Sequence, residues 1–334
     1  MACLSTVFCT RIRRRTHTRR VVAAPHADAT PSSTAMREYS WEAIERATSN
    51  FSVVVGYGGF SAVYLAGAQA IKAHAGSDFL HRIFKHELEI MRALRHPNIV
   101  SLLGYCDDHD QGALVFHYFR HGSLHDQLRG GSVLPWERRV AIAFQLASAL
   151  EYLHEHCDPQ IVHGDIKASN ILLDDSFNCK LCDFGSAKKG FSSDFSSSST
   201  ARTSKQLAKM MTNSPGYTDP NYLRTGISST KNDIYSFGVI LLQLLTGMEA
   251  ICSKRSVPLT TILRPVLAED GDLQLEDVID RNLATCDEAS FMLSIARRCL
   301  DDSPASRPSA SQISAAMLKN MGSVSLIVSP ACKQ

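Results

Sequence analysis

The chain has 334 residues, 44% of them hydrophobic and 20% charged, a balance that excludes wholesale disorder and fibrous repeats and leaves room for one large domain or two ordinary ones. No apolar run approaches the roughly 18–20 residues that span a bilayer. The formal net charge of +2 hides an asymmetry: residues 1–36 carry six Arg and one acid, net +5, leaving −3 for a body that has no electrostatic claim on nucleic acid.

Residues 1–36 mix Arg, Ser, Thr, Ala and Pro without helical or strand periodicity and are predicted to be a disordered basic arm. Met1–Thr10 is mildly apolar and precedes the Arg cluster, the reverse of the order in a secretory signal. Ala2 excludes N-myristoylation. Three functions stand open for the arm: an organelle transit peptide, peripheral membrane contact through acylated Cys3 and Cys9, or capture of an acidic partner. Ten scattered cysteines are too sparse for a disulfide scaffold and read as reduced thiols in the cytoplasm.

From Ser40 the pattern becomes ordered. A short helix is expected over Trp41–Ser49, then a hairpin around Val53–Val55 and Ala62–Ala66, a third strand ending Ala70-Ile71-Lys72, and a helix near Ser77–Leu94. Two further apolar segments, Ile99–Tyr105 and Ala113–Phe119, read as strands. After Pro135 the period changes to about 3.6, with Val140, Ala143, Phe144, Ala147, Leu150 and Leu153 on one stripe. Ile234–Leu245 is apolar nearly all round, as in a helix buried in a large helical lobe. Residues 186–213 are polar, and nine of the thirteen residues 192–204 are Ser or Thr, which predicts a long mobile loop. The expected fold is α+β: a small β-rich lobe with one main helix and a larger, mainly helical lobe.

The chemistry lies in three segments. Val55-Gly56-Tyr57-Gly58-Gly59-Phe60-Ser61-Ala62-Val63 is a glycine turn followed by a strand, which excludes the strand–glycine–helix order of dinucleotide and Walker loops. A glycine hairpin folded over phosphates survives, because missing side chains let backbone N–H groups approach the oxygens. Lys72 closes an apolar strand, and Glu87 shares the inward stripe of the next helix with Ile83 and Met91; a carboxylate facing a core needs a partner, and Lys72 is the candidate. Finally, Ile161-Val162-His163-Gly164-Asp165-Ile166-Lys167-Ala168-Ser169-Asn170-Ile171-Leu172-Leu173 precedes Lys180-Leu181-Cys182-Asp183-Phe184-Gly185. This order of acid, lysine, amide and second acid suits metal-assisted phosphoryl transfer. Asn170 and Asp183 offer hard oxygen ligands for Mg²⁺, and Asp165 can accept a proton from an attacking hydroxyl.

At these residues the sequence resembles the eukaryotic protein kinase family, over roughly residues 40–320. Arg37–Phe51 and Leu103-Gly104-Tyr105-Cys106 are similar to plant receptor-like and receptor-like cytoplasmic kinases, the sequence's lack of an extracellular domain or membrane helix favours the cytoplasmic branch, and Asp-Ile-Lys-Ala-Ser-Asn resembles the Ser/Thr version of the loop. The resemblance implies a domain over 37–322, divided near 119/120, and a tail at 323–334. It implies that Gly56, Gly58, Gly59 and Ser61 cover ATP phosphates, that Val63, Ala70 and Leu172 sandwich adenine, and that Lys72 holds the α/β-phosphates with Glu87 behind it. Phe116 would be the gatekeeper, with backbone groups of His117 and Phe119 on the adenine edge. Asp165 would be the base, Lys167 would contact the γ-phosphate, and Asn170 and Asp183 would bind Mg²⁺, with Mn²⁺ as a substitute. Ser214 would help position Asp165 and Lys167, and Met91, Leu102, His163 and Phe184 would stack as a spine joining the lobes. The implied partners are proteins bearing Ser or Thr hydroxyls and a receptor kinase complex, in the cytoplasm or at the inner face of the plasma membrane.

Three positions depart from the pattern and keep a non-catalytic scaffold open as the alternative. Gly164 stands where many members carry Arg, which predicts weak dependence of turnover on phosphorylation of the loop. Ser61 occupies the third glycine position. Asn221 replaces a Glu expected to pair with Arg307, so Asn221→Glu is expected to raise thermal stability. Cys179-x-x-Cys182 lacks a second ligand pair and is expected to be two buried thiols.

Overall fold

The structure is a computed structural model, and it describes residues 36–58, 61–75, 77–108, 111–130, 134–190, 214–268, 275–280, 283 and 287–324. The expectations placed on the basic arm before Met36, on Gly59 and on the Ser/Thr tract lie outside these residues.

The smaller lobe is built on a six-stranded sheet of order β1-β5-β6-β4-β3-β2. Its strands are β1 (Arg37–Glu38), β2 (Val54–Tyr57), β3 (Ala62–Ala66), β4 (Gln69–Ala75), β5 (Gly104–Asp108) and β6 (Gln111–His117). Strands β2 to β6 pair antiparallel, whereas β1 pairs parallel to β5, with Arg37 opposite Gly104. The close approach requires that glycine: a Cβ on Gly104 would lie 2.4 Å from Arg37 O and 2.6 Å from the Tyr39 ring. Helix α1 (Trp41–Ala47) follows, capped by Ser40, and buries Ile44 with Ile71, Cys106, Ala113 and Val115 on the outer face of the sheet.

Helix α2 (Asp78–Ala93) covers the inner face. Ser77 caps it, Asp78 and Arg92 match its dipole, and its buried stripe holds Ile83, Phe84, Glu87, Leu88, Ile90 and Met91. The apolar run 99–103, expected as part of a strand, forms none; β5 starts at Gly104. Ile99 instead bridges to Leu181, and Val100 N donates to Leu181 O at 3.0 Å, so the segment is apolar because it joins the two lobes.

The larger lobe contains α3 (Leu124–Arg129), α4 (Trp136–Glu151), α5 (Pro220–Thr225), α6 (Thr230–Thr246), α7 (Leu259–Ile262), α8 (Arg264–Leu267), α9 (Asp287–Cys299) and α10 (Ala310–Asn320). Helix α6 is its axis: fourteen consecutive residues, Asp233–Thr246, are buried, which explains why its sequence is apolar on every face. Short strand pairs β7 (Ile161–Val162) with β10 (Lys188–Lys189), and β8 (Ile171–Leu173) with β9 (Cys179–Leu181), present the chemistry-bearing loops to the cleft between the lobes. Val324 is fully buried, so packing continues past 322.

Candidate active site

The cleft spans about 510 Å³, including space open to solvent, and is lined by Gly58, Ser61, Val63, Ala70, Lys72, Glu87, Val100, Phe116, His117, Phe119, Leu172, Cys182 and Asp183. Val63 and Ala70 come from β3 and β4, and Leu172 from β8 across the cleft, an apolar slot of the kind a planar ring fills. Gly56 is not among the lining residues: it is buried within β2, opposite Val63. Two lining residues went unnoticed in the sequence. Val100 sits inside an apparent strand, and the only signal for Cys182 is its place directly before Asp183.

Lys72 Nζ is 2.8 and 2.7 Å from the two Glu87 oxygens and 2.8 Å from Asp183 Oδ1. Burial by itself would push the Lys72 ammonium toward neutrality, but the carboxylates of Asp183 and Glu87 outweigh it and hold the pKa above its ordinary value. The Asp183 carboxyl is likewise driven below the usual range: burial opposes ionisation, and Lys72 and Lys167 overcome it. For Glu87 burial prevails and the pKa is raised. Asp183 adopts left-handed backbone, φ +66°, rare outside glycine, so the local fold holds it in place at a conformational cost.

Asp165 is held from three sides. Ser214 Oγ donates to Oδ1 at 2.5 Å, while Lys167 Nζ and Asn170 Nδ2 donate to Oδ2 at 2.7 and 3.0 Å. Asn170 Nδ2 also bonds Asp165 O at 2.9 Å, which commits the amide nitrogen and leaves Oδ1 for a cation. Asp183 has one oxygen on Lys72 and a second that can ligate. A hard-oxygen pair flanked by Lys72 and Lys167 fits a divalent metal carrying polyphosphate.

Asp233, in the first turn of α6, holds the loop from behind. Its carboxylate accepts from the backbone N–H groups of His163 and Gly164, both at 2.8 Å, and lies 2.9 Å from His154 Nε2. Gly164 has φ +77°, and a Cβ there would sit 3.0 Å from Ser186 O, so the loop takes a turn suited to glycine. The His163 ring meets Phe184 edge-on at 4.7 Å, and Met91, Leu102 and Phe184 share one buried cluster. Burial lowers the His163 pKa and keeps the ring neutral.

Arg307 does not pair with Asn221. It bonds Asp219 through Nη1 at 2.6 Å and Nη2 at 3.1 Å, with both side chains fully buried. Asn221 turns outward and accepts from Arg224 at 2.9 Å. Asp219 precedes Pro220 and also caps α5, so two residues upstream of the expected partner a carboxylate already neutralises the arginine. Cys179 and Cys182 are buried, and burial raises both thiols, Cys179 to about 12. Among the described residues no cluster of three or more His, Cys, Asp or Glu could hold a metal ion.

A two-lobed fold with an acid, lysine, amide and second acid around the cleft defines a phosphotransferase class, and the protein kinase domain model matches residues 50–317: the chain belongs to the protein kinase family. Its relatives narrow the branch. It is 48% identical over 293 residues, 83% of this chain and 78% of the relative, to salt tolerance receptor-like cytoplasmic kinase 1 of Oryza sativa subsp. japonica. It is 45% identical over 307 residues, 86% of this chain and 89% of the relative, to a probable receptor-like protein kinase of Arabidopsis thaliana. A calcium/calmodulin-regulated receptor-like kinase 2 of the same plant is 34% identical over 304 residues, 87% of this chain and 65% of the relative. Among the described residues no helix is long and apolar enough to cross a membrane.

Proposed function

We propose that the protein transfers the γ-phosphoryl group of Mg-ATP to Ser or Thr hydroxyls of proteins, as a receptor-linked kinase of the cytoplasm. The observation that carries this reading is the clamp on Asp165, whose two carboxylate oxygens are oriented by Ser214, Lys167 and Asn170. An incoming hydroxyl would lose its proton to Asp165 as it attacks, and Lys167, already beside that carboxylate, would face the charge gathering on the transferred group. Lys72 would hold the α/β-phosphates, braced by Glu87. Val63, Ala70 and Leu172 would take the adenine, with backbone groups of His117 and Phe119 on its edge and Phe116 behind it. Gly58, Ser61 and the backbone beside them would exclude water above the phosphates. Mg²⁺ bound by Asn170 Oδ1 and Asp183 would neutralise phosphate charge.

A receptor complex as partner rests on the likeness to receptor-like kinases, and membrane contact through residues 1–36 rests on the basic charge and the Cys3 and Cys9 thiols of that arm. The test compares wild type with Asp165→Asn, purified identically, for labelled phosphate transfer to the protein itself and to a generic basic protein. Loss of the base should slow transfer by on the order of 10²–10⁴. Equal labelling by the two proteins would overturn the assignment, and a folded wild type inert with both Mg²⁺ and Mn²⁺ would make it a scaffold.

A further inference from the structure

His74 is out of keeping with its surroundings. It lies on β4 two residues after Lys72, so both side chains leave the sheet on the face covered by α2. The residue is 1% exposed, and among the described residues neither ring nitrogen has a hydrogen-bond partner. The ring packs against Phe84, centroids 6.1 Å apart, and across the sheet its neighbour is Gly112, which has no side chain to offer. An aliphatic residue would fill this space without stranding two polar atoms, and buried groups left unsatisfied in a folded protein call for a physical reason.

The reason lies in the donor count at Lys72. An ammonium has three N–H donors, and here all three are spent, two on the Glu87 oxygens and one on Asp183. Lys72 cannot reach a phosphate without releasing at least one of them. If it turns two donors toward the α/β-phosphates, the buried Glu87 carboxylate keeps one Lys72 donor and the backbone N–H of Phe184, one donor fewer than it holds now. His74 Nε2 is 3.7 Å from Glu87 Oε2, beyond a hydrogen bond yet within a shift of about 1 Å of one. The charged groups facing the ring are Lys72 on its own strand, Glu87 from α2 and Asp183 from beyond β9. Burial first, and the Lys72 charge second, push the imidazole down to about 3, so the ring is neutral and holds one N–H to donate.

We propose that His74 is a positioning residue for nucleotide binding: as its Nε2–H tautomer it takes over Glu87 Oε2 when Lys72 turns to the phosphates, keeping Glu87 and α2 docked. This rests on the nucleotide reading of the cleft, so its readout is binding. Wild type, His74→Leu and His74→Gln are compared for melting temperature without ligand and for affinity toward Mg²⁺ with a non-hydrolysable ATP analogue.

His74→Leu should melt at the same or a higher temperature yet bind the analogue about 5-fold or more weakly, and His74→Gln, which restores an N–H, should recover most of that loss. A merely structural histidine would move stability alone. A folded His74→Leu protein with wild-type affinity overturns the inference, as does a His74→Gln protein no better than His74→Leu. Should His74→Leu fail to fold, nitrogen-15 spectra of wild type decide: an Nε2–H resonance that shifts on adding the analogue supports the role, and an unmoved one overturns it. A chain that shows this pattern but labels no hydroxyl counts against phosphotransfer alone. A chain that labels without the pattern counts against His74 alone, and one that binds no analogue overturns both.

Discussion

Asp219 and Arg307 form a fully buried bidentate pair, so removing one charge strands the other in low dielectric. Asp219→Asn is expected to cost about 3–5 kcal/mol, read by urea unfolding. Asn221→Glu, attractive from sequence, should change stability by no more than about 0.5 kcal/mol, since Arg307 is already neutralised. A clear gain with Asn221→Glu would reinstate it as the missing partner. The buried histidines set a pH dependence. His74, lowered to about 3, stays neutral in the fold where the unfolded chain takes a proton near pH 6.5, and half-buried His96 is shifted in the same direction by burial and by the charges of His156 and Lys180. Below that pH the unfolded state binds more protons, so stability falls as pH drops, by up to about 1.4 kcal/mol per unit for His74. Melting curves from pH 7.5 to 5.5 should slope accordingly, and His74→Leu should flatten them; an unaltered slope would exclude His74 as a source. Lys72, Asp165, Asn170 and Asp183 were legible because their chemistry is written in short segments. Asp233 and Asp219 were not, because their partners lie about 70 and 88 residues away and each reads locally as an ordinary helix-start acid.

At the level of elements, α2 could be read because its stripe, cap and dipole charges agree. Segment 99–103 could not, because burial between lobes and burial in a sheet produce the same apolar run. Strand β1 was also invisible: two exposed residues have no periodicity, and only the glycine at 104 admits them to the sheet edge. Gly104→Val should therefore push β1 off β5 and loosen α1, whose Trp41 packs on Phe51 at 5.4 Å. The expected loss is about 1–3 kcal/mol, with a shift in tryptophan emission. A variant of unchanged stability and emission would show that the strap finds another seat.

For the whole molecule, the change from alternating to 3.6-residue periodicity divided the chain into two lobes, but how those lobes meet depends on contacts no local pattern encodes. Val100 bonds Leu181, His163 rests on Phe184, and Met91 from α2 shares one buried cluster with Phe184. The bracing of residues 163 and 164 by a carboxylate on the most buried helix has a further consequence. These amides belong to no regular element, yet both are bonded to a buried carboxylate of α6. In deuterium oxide they should exchange nearly as slowly as the amides of α6 itself. The loop proposed to carry out the chemistry would then be among the last parts of the protein to loosen on heating.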